Sequence, residues 1–191
     1  MDPTKVTNFK NPKRVKVNIA CVYLTNYFLA NDQGQVAQAK TILDEHNLQL
    51  EVWPQGALKT PSNTLIYPDP VPHDAYDDAA NKVTYKDLLT RARNLISSKV
   101  PFSVFATVVF GQFKHPGIGI TPPSVGLVTP LCIVSPNGNP DKMDVLHELG
   151  HASDLHHESG FAKNFMNETN GRSEMMRFQV EKMAKSWFAV A

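Results

Sequence analysis

The sequence predicts a single α/β or α+β domain, residues 1–191, built around a mixed, twisted sheet. Its 191 residues, 42% of them hydrophobic, suffice for one hydrophobic core without a disulfide framework. Strand and helix patterns alternate along residues 1–138, and residues 139–191 then carry two further helical patterns. No internal repeat interrupts this order, which favours one continuous domain.

Three elements are expected in the first part of the chain. Residues 14–24 are rich in apolar and β-branched side chains and predict the first strand. Residues 35–46 predict a helix, and residues 48–53 alternate between apolar and polar types, which predicts a second strand of the same sheet. The apolar face of the helix is formed by Val36, Ala39, Ile42 and Leu43.

The middle of the chain alternates between proline-rich and apolar segments. Five prolines between Pro54 and Pro72 prevent a long regular element and predict a loop. Residues 84–97 return to helical spacing, and the apolar run from Pro101 to Phe110 predicts a central strand. A segment broken by glycine and proline follows, after which residues 127–134 predict a further strand.

Charge and composition disfavour two broad functions. Nineteen basic residues accompany 18 acidic ones, so the net charge is +1 and nucleic-acid binding is not expected. No segment reaches the roughly 20 apolar residues of a membrane span, and the N-terminus lacks a secretory signal. We expect a monomer that is cytoplasmic or exported by another route. Cys21 and Cys132 lie in apolar surroundings and are expected in the core rather than in a disulfide.

A metal-binding pattern lies near the C-terminus. Asn139 and Pro140 are typical of a helix start. On the helix that follows, His147 and His151 are four positions apart, so both rings project from one face and can bind one cation. Glu148 can polarise a metal-bound water without being a ligand. This H-E-x-x-H pattern indicates two Zn²⁺ ligands and a general base.

A third histidine extends this pattern. His157 lies six positions after His151, and a continuous helix would rotate it away from the first pair, so the helix must end between them. The segment HELGHASDLHH, from His147 to His157, resembles the H-E-x-x-H-x-x-G-x-x-H motif of the metzincin zinc metalloproteases. It departs at Asp154, where the family has a glycine in a left-handed turn, a conformation that aspartate also reaches without severe strain.

The metzincin resemblance implies a compact zincin-like domain with an active-site helix and a methionine turn beneath the metal. The segment Asn164-Phe165-Met166 resembles that turn, with Met166 as a floor that does not bind the metal. The last tyrosine is Tyr85, so the tyrosine that some members place after the methionine turn is missing. A segment within residues 117–134 is implied to pair with an extended peptide, although its turn-forming residues are equally typical of a loop. The implied metal ligands are His147, His151 and His157.

Two other third ligands remain open. Asp154 lies three positions after His151 and shares its helical face if the helix continues by one turn. In a thermolysin-like arrangement, a distant glutamate on a later helix supplies the third ligand, and Glu168 and Glu174 are the candidates. The thermolysin-like arrangement leaves His157 unexplained.

Two features follow the methionine turn. Residues 173–190 predict a C-terminal helix with an apolar stripe, typical of core packing, that contains Met176, Val180, Met183 and Trp187. Asn167-Glu168-Thr169 matches an N-glycosylation sequon, and a glycan there would crowd the cleft.

The expected function is a zinc metallopeptidase, an endopeptidase acting on a peptide or protein substrate. Three neutral imidazoles leave Zn²⁺ with its full charge, so the pKa of a bound water falls toward about 7. Glu148 would accept the proton of this water as hydroxide attacks a carbonyl, and then deliver it to the leaving amine. The alternatives are a zinc-binding recognition module or inactive relative of the same fold, and an effector that hydrolyses one specific amide or protein target.

Overall fold

A six-stranded mixed sheet organises the fold. The computed structural model describes residues 2–23, 34–53, 89–90, 92–94, 96, 99–111, 117–120, 129–135 and 140–191. The strands are β1 (Val15–Tyr23), β2 (Leu48–Trp53), β3 (Ala106–Phe110), β4 (Gly117–Ile120), β5 (Leu131–Val134) and β6 (Ala189–Val190). The helices whose bounds lie within the described residues are a 3-10 turn (Pro3–Lys5), α1 (Gln35–Glu45), α2 (Asp144–Ala152) and α3 (Arg177–Met183).

The strand order in the sheet is β2-β1-β3-β5-β4, with β6 paired to the start of β1. The first four strands of this order run parallel, whereas β4 is antiparallel to β5. Every residue of β3 and β5 is buried, as expected for parallel strands covered on both faces. The predicted mixed α/β domain is therefore confirmed.

The core lies between the sheet and the helices α1 and α2, which contact each other. The apolar side of α1 buries Ala39, Ile42 and Leu43, three of the four residues that the helical spacing indicates. Cys21 and Cys132 are buried in the sheet and form no disulfide, as predicted. Each fully buried leucine or isoleucine of this core contributes about 1.5–3 kcal/mol to folding.

The first three predicted elements agree with the structure to within one residue at each described end. The helix predicted at residues 84–97 is confirmed where it is described, because residues 89, 90, 92–94 and 96 have helical backbone. Its remaining residues and the proline-rich loop from 54 to 72 lie outside the described residues.

The prediction of a strand from Pro101 to Phe110 was too long, since β3 begins at Ala106. The reason lies in the neighbouring strand. The first residues of β1 pair with β6, Lys16 with Val190, and β1 pairs with β3 only from Ile19 onward. Residues before Ala106 therefore have no free strand edge to join. The strand predicted at 127–134 is likewise shorter, because β5 starts after Pro130, a residue without a backbone N–H to donate.

The helix start predicted at Asn139 and Pro140 was wrong for the described residue Pro140, which lies in a turn. Helix α2 begins at Asp144, and its first N–H groups are capped from a distance. The side-chain oxygen of Gln35 accepts hydrogen bonds from the backbone N–H groups of Asp144 at 2.9 Å and Val145 at 3.3 Å. This cap comes from α1 rather than from a residue next to the helix.

The C-terminal helix is also shorter than predicted. It spans Arg177–Met183 rather than 173–190, because the chain turns after Met183 and enters the sheet as β6. Three members of the predicted stripe are buried, but Trp187 follows the helix and is 61% exposed. None of the helices in the described ranges is long and apolar enough to cross a bilayer.

Candidate metal centre

Three histidine rings converge through their Nε2 atoms. The Nε2 atom of His151 lies 3.1 Å from that of His147 and 3.1 Å from that of His157, and the third distance is 3.3 Å. Tetrahedral Zn²⁺ with metal–nitrogen bonds of about 2.0–2.1 Å separates its ligand atoms by about 3.3–3.4 Å. Within the described ranges, these three residues form the one such group, and it can hold a metal ion.

The second nitrogen of each ring faces an oxygen. Nδ1 of His147 lies 2.8 Å from the carbonyl of Phe165, and Nδ1 of His151 lies 2.9 Å from the carbonyl of Leu155. Nδ1 of His157 lies 3.0 Å from a carboxylate oxygen of Glu168. Carbonyl and carboxylate oxygens only accept, so each Nδ1 donates a proton, and in the neutral form of each ring Nε2 presents a lone pair. Three converging lone pairs repel one another until a cation lies between them, so this donor set fits a metal.

The two helical histidines are held in their neutral form. Burial lowers the pKa of His147 to about 3, against the opposing effect of its hydrogen bond to Phe165. Burial also lowers the pKa of His151. Near neutral pH both rings therefore keep the lone pair that a metal requires.

The end of α2 turns the chain so that the third histidine reaches the first two. Asp154 has a φ of 64°, in the left-handed region that the resemblance requires at this position. The backbone N–H of Asp154 donates to His151 at 2.8 Å, and that of Leu155 donates to Gly150 at 3.0 Å. These two bonds form a Schellman motif, which ends the helix and reverses the chain toward His157.

The other third-ligand candidates lie outside the group of Nε2 atoms. The carboxylate of Asp154 is exposed and binds Nζ of Lys182 at 2.6 Å. Glu168 contacts the outer nitrogen of His157, and Glu174 lies 4.0 Å from Lys163. The structure therefore brings the three histidines together and none of these carboxylates with them.

Met166 lies in a tight turn that packs against α2, the helix that carries His147 and His151. The backbone N–H of Asn167 donates to the carbonyl of Asn164 at 2.9 Å, which closes the turn, and Met166 is fully buried. A Cβ added at Gly150 would collide with the sulfur of Met166, so this glycine allows the turn to approach α2. The carbonyl that accepts from His147 belongs to Phe165, in the same turn.

A pair of buried amides supports the turn. The side chains of Asn164 and Gln179 exchange two hydrogen bonds of 2.9 Å, and the oxygen of Asn164 also accepts from the backbone N–H of Met166. Sequence reasoning missed Gln179, since its partner lies 15 positions away and no local spacing connects them.

Glu148 is buried between α2 and β4, with 5% of its surface exposed. Burial raises its pKa well above the usual range, nearby Asp144 raises it further, and Arg172 opposes both. The backbone N–H of Gly119 donates to this carboxyl, whereas Oε2 has no hydrogen-bond partner in the described part of the chain. An unsatisfied buried carboxyl oxygen is costly to folding, which is typical of a functional group.

Strand β4 approaches α2 closely because two of its residues are glycines. A Cβ at Gly117 would collide with the carboxyl group of Glu148, and one at Gly119 would collide with the carbonyl oxygen of Glu148. Residues 117–120 form a strand rather than a loop, whereas the pairing of this segment with a peptide stays a prediction. Residues 121–128 of the same segment lie outside the described ranges.

A buried network of charges anchors the start of α2. The guanidinium of Arg172 donates to Asp141 at 2.9 Å and to Asp144 at 2.7 Å, and Gln35 donates to the other oxygen of Asp144 at 3.2 Å. The arginine lowers the pKa of Asp141, although burial acts in the opposite direction. Sequence reasoning missed this network because each hydrogen bond in it joins residues that lie 28 or more positions apart.

The sequon asparagine is not available at the surface. Asn167 is 6% exposed, and its NH₂ group donates to the carbonyls of Glu158 and Phe161 at 3.3 and 3.1 Å. Its side-chain oxygen accepts from the N–H and the hydroxyl of Thr169 at 2.8 and 2.6 Å. The amide is therefore a structural part of the turn.

The geometry of the histidine group is suited to binding a metal ion, whereas the sequence comparisons identify no family. Three nitrogen ligands, fixed tautomers and an adjacent buried carboxyl are properties of the described residues themselves. Neither a scan against protein-family models nor a search of curated proteins finds a match to this chain.

Proposed function

We propose that this protein is a zinc-dependent metallopeptidase of metzincin type. The observation that carries the proposal is the triangle of Nε2 atoms, 3.1–3.3 Å apart, next to a buried carboxyl that has an unsatisfied oxygen. Structural zinc sites are closed by four protein ligands, whereas catalytic sites use three. The described residues supply three ligands to this group, which favours catalysis over a structural site.

The residues that would hold the metal are His147, His151 and His157. Three neutral imidazoles suit Zn²⁺, which when bound would polarise a substrate carbonyl and activate a water. The rings need no rearrangement for this, because hydrogen bonds on Nδ1 already fix all three tautomers.

Glu148 is proposed as the general base. It follows the first ligand on α2, and its carboxyl group has one donor, Gly119, and one unsatisfied oxygen. That free oxygen can accept a proton from water and pass it to the leaving amine.

Strand β4 is proposed as the docking edge for the substrate. Among the described strands, β4 stands at the end of the sheet order and pairs with β5. An extended peptide can add to such an edge through backbone hydrogen bonds, which give affinity with little side-chain preference. Because Gly117 and Gly119 bring β4 against Glu148, a peptide on this edge would run close to the proposed base.

The deciding experiment combines metal content with cleavage of casein. In Glu148→Gln we expect one metal ion per chain to remain and hydrolysis to fall by about 10²–10⁴-fold. In His157→Ala the metal is lost together with activity. Glu174→Gln is the matched control, because that glutamate lies outside the histidine group and pairs with Lys163.

Two outcomes would contradict the proposal. Retained hydrolysis in Glu148→Gln would exclude the assigned base, and wild-type protein without a metal would exclude the metal site. Bound metal without cleavage of casein would favour one of the two alternatives, a recognition module or an enzyme with a single target.

A further inference from the structure

The three histidines differ in what holds their outer nitrogen. His147 and His151 donate to backbone carbonyls, whereas His157 donates to a side chain, the carboxylate of Glu168 at 3.0 Å. A carboxylate is a charged and stronger acceptor than a carbonyl. The third ligand is therefore the one whose outer partner carries a charge.

His157 is also the ligand with the least support from packing. It lies on an irregular segment after the end of α2, and its side chain is 43% exposed. His147 is 6% exposed on a packed helix. An exposed imidazole loses more rotational freedom when it is fixed, so the hydrogen bond to Glu168 matters more here than a similar bond would in the core.

Glu168 is held in place by its neighbour. The side-chain oxygen of Asn167 accepts from Thr169, which bends the backbone around Glu168. The NH₂ group of Asn167 donates to the carbonyl of Glu158, the residue after His157. The backbone N–H of Glu158 also donates to Met166 at 3.1 Å. These bonds connect the segment that carries Glu168 to the segment that carries His157.

We infer that Glu168 is a positioning residue that fixes the ring and tautomer of His157 and thereby strengthens metal binding. The inference rests on the proposed function. Outer partners of this kind change metal affinity by about 10–100-fold. The carboxylate is 70% exposed and therefore screened by solvent, so we expect the lower end of this range.

The test measures Zn²⁺ affinity by competition with a chelating indicator. Glu168→Gln, which keeps an acceptor oxygen but loses the charge, should bind Zn²⁺ about tenfold more weakly than wild type. Glu168→Ala should lose more, and Glu168→Asp should fall between wild type and Glu168→Gln. Glu174→Gln is the control and should retain wild-type affinity, because Glu174 contacts Lys163 rather than a histidine.

A second readout needs no metal. Nitrogen NMR of the metal-free protein reports which ring nitrogen of His157 carries the proton. We expect the proton on Nδ1 in wild type and a mixture of tautomers in Glu168→Ala, with an unchanged melting temperature for both metal-free proteins.

The outcomes separate this inference from the proposed function. Wild-type protein that binds Zn²⁺, with Glu168 variants of equal affinity, would overturn the role of Glu168 and leave the metal site intact. Wild-type protein that binds no Zn²⁺ would overturn both. Weaker binding in Glu168→Ala together with a mixed tautomer would support the inference.

Discussion

The two sides of the histidine group are built differently. On the helix side, His147 and His151 project from α2, which is buried almost along its whole length. On the turn side, His157 lies on an exposed segment and is held by hydrogen bonds to a neighbouring loop. Packing positions the first two ligands, and a left-handed turn with polar contacts positions the third.

The same contrast holds for the ion pairs at the two ends of α2. At its start, Arg172 and Asp144 have side chains that are 4% and 3% exposed. At its end, Lys182 and Asp154 are 43% and 61% exposed. Buried ion pairs are costly to break, whereas exposed ion pairs contribute little to stability. We therefore expect substitutions at the buried residues of α2 and its start to have larger effects than substitutions at its exposed end.

The largest expected effect is a pH dependence that arises from the helix side. Burial holds the pKa of His147 at about 3, compared with 6.5 for an ordinary histidine. Between these values the unfolded chain binds more protons than the fold does. The free energy of unfolding of the metal-free protein therefore falls by about 1.4 kcal/mol for each pH unit between 6.5 and about 3, or about 5 kcal/mol over that range, through this residue alone.

Denaturant unfolding of wild type and of His147→Gln, between about pH 7 and pH 4, measures this effect. The wild type should lose stability more steeply as the pH falls. Parallel curves would show that the burial of His147 is not coupled to stability. They would contradict the conclusion that packing positions the two helical ligands.

Arg172→Ala should have the next largest effect. It leaves Asp141 and Asp144 without their cationic partner, so the free energy of unfolding should fall by about 3–5 kcal/mol. Arg177→Ala is the matched control, because Arg177 forms an exposed pair with Glu181, and it should cost less than about 1 kcal/mol. Thermal unfolding of both variants measures the difference, and equal losses would contradict the anchoring role of the buried network.

Gly119→Ala tests the contact between α2 and β4. The added Cβ collides with the carbonyl oxygen of Glu148, so strand or helix must shift at a cost of about 1–3 kcal/mol. Activity should fall as well, since Glu148 moves. Gly160→Ala is the control, because its Cβ would meet the flexible carboxylate of Glu158 at 3.1 Å and no backbone atom. A Gly119→Ala protein as stable and active as wild type would refute this close contact.

The smallest effect is expected at the turn itself. Asp154 has a φ of 64°, so Asp154→Gly should be tolerated, whereas Asp154→Ala should be less stable than Asp154→Gly by about 1 kcal/mol. Both variants lose the exposed contact with Lys182 equally, which removes that contact from the comparison. Melting temperatures measure the ranking, and the reverse order would mean that the side chain of Asp154 matters more than its backbone.

Local patterns predicted the parts of the molecule that local interactions form. Strand β1, helix α1 and strand β2 follow from their hydrophobic periodicity, because each buries one face or both faces in a regular way. The convergence of His147 and His151 follows from helical geometry. The place of His157 was expected only from the resemblance to the metzincin motif, and the left-handed φ of Asp154 is what lets the chain reach it.

Long-range pairing decided the features that could not be predicted. The start of β3 depends on β6, which lies about 80 positions away, and the start of α2 depends on Gln35, which lies 109 positions away. The hydrogen bond between His157 and Glu168 could not be predicted from the sequence either, since acidic residues in loops are usually solvated. These features depend on which distant segments come into contact, and local sequence patterns do not indicate such contacts.

The buried Asn167 has a consequence for how the protein can be made. Glycan attachment to the sequon acts on the NH₂ group that the fold uses to join two loops. A cell that attaches glycans to nascent chains would set folding and modification in competition for the same nitrogen. Chains modified first would lack a free NH₂ group for the hydrogen bonds to the carbonyls of Glu158 and Phe161. Expression in a bacterial cytoplasm avoids that competition. Thr169→Ala would remove the acceptor pattern and lose one hydrogen bond, that of the Thr169 hydroxyl, while the bond from the backbone N–H remains.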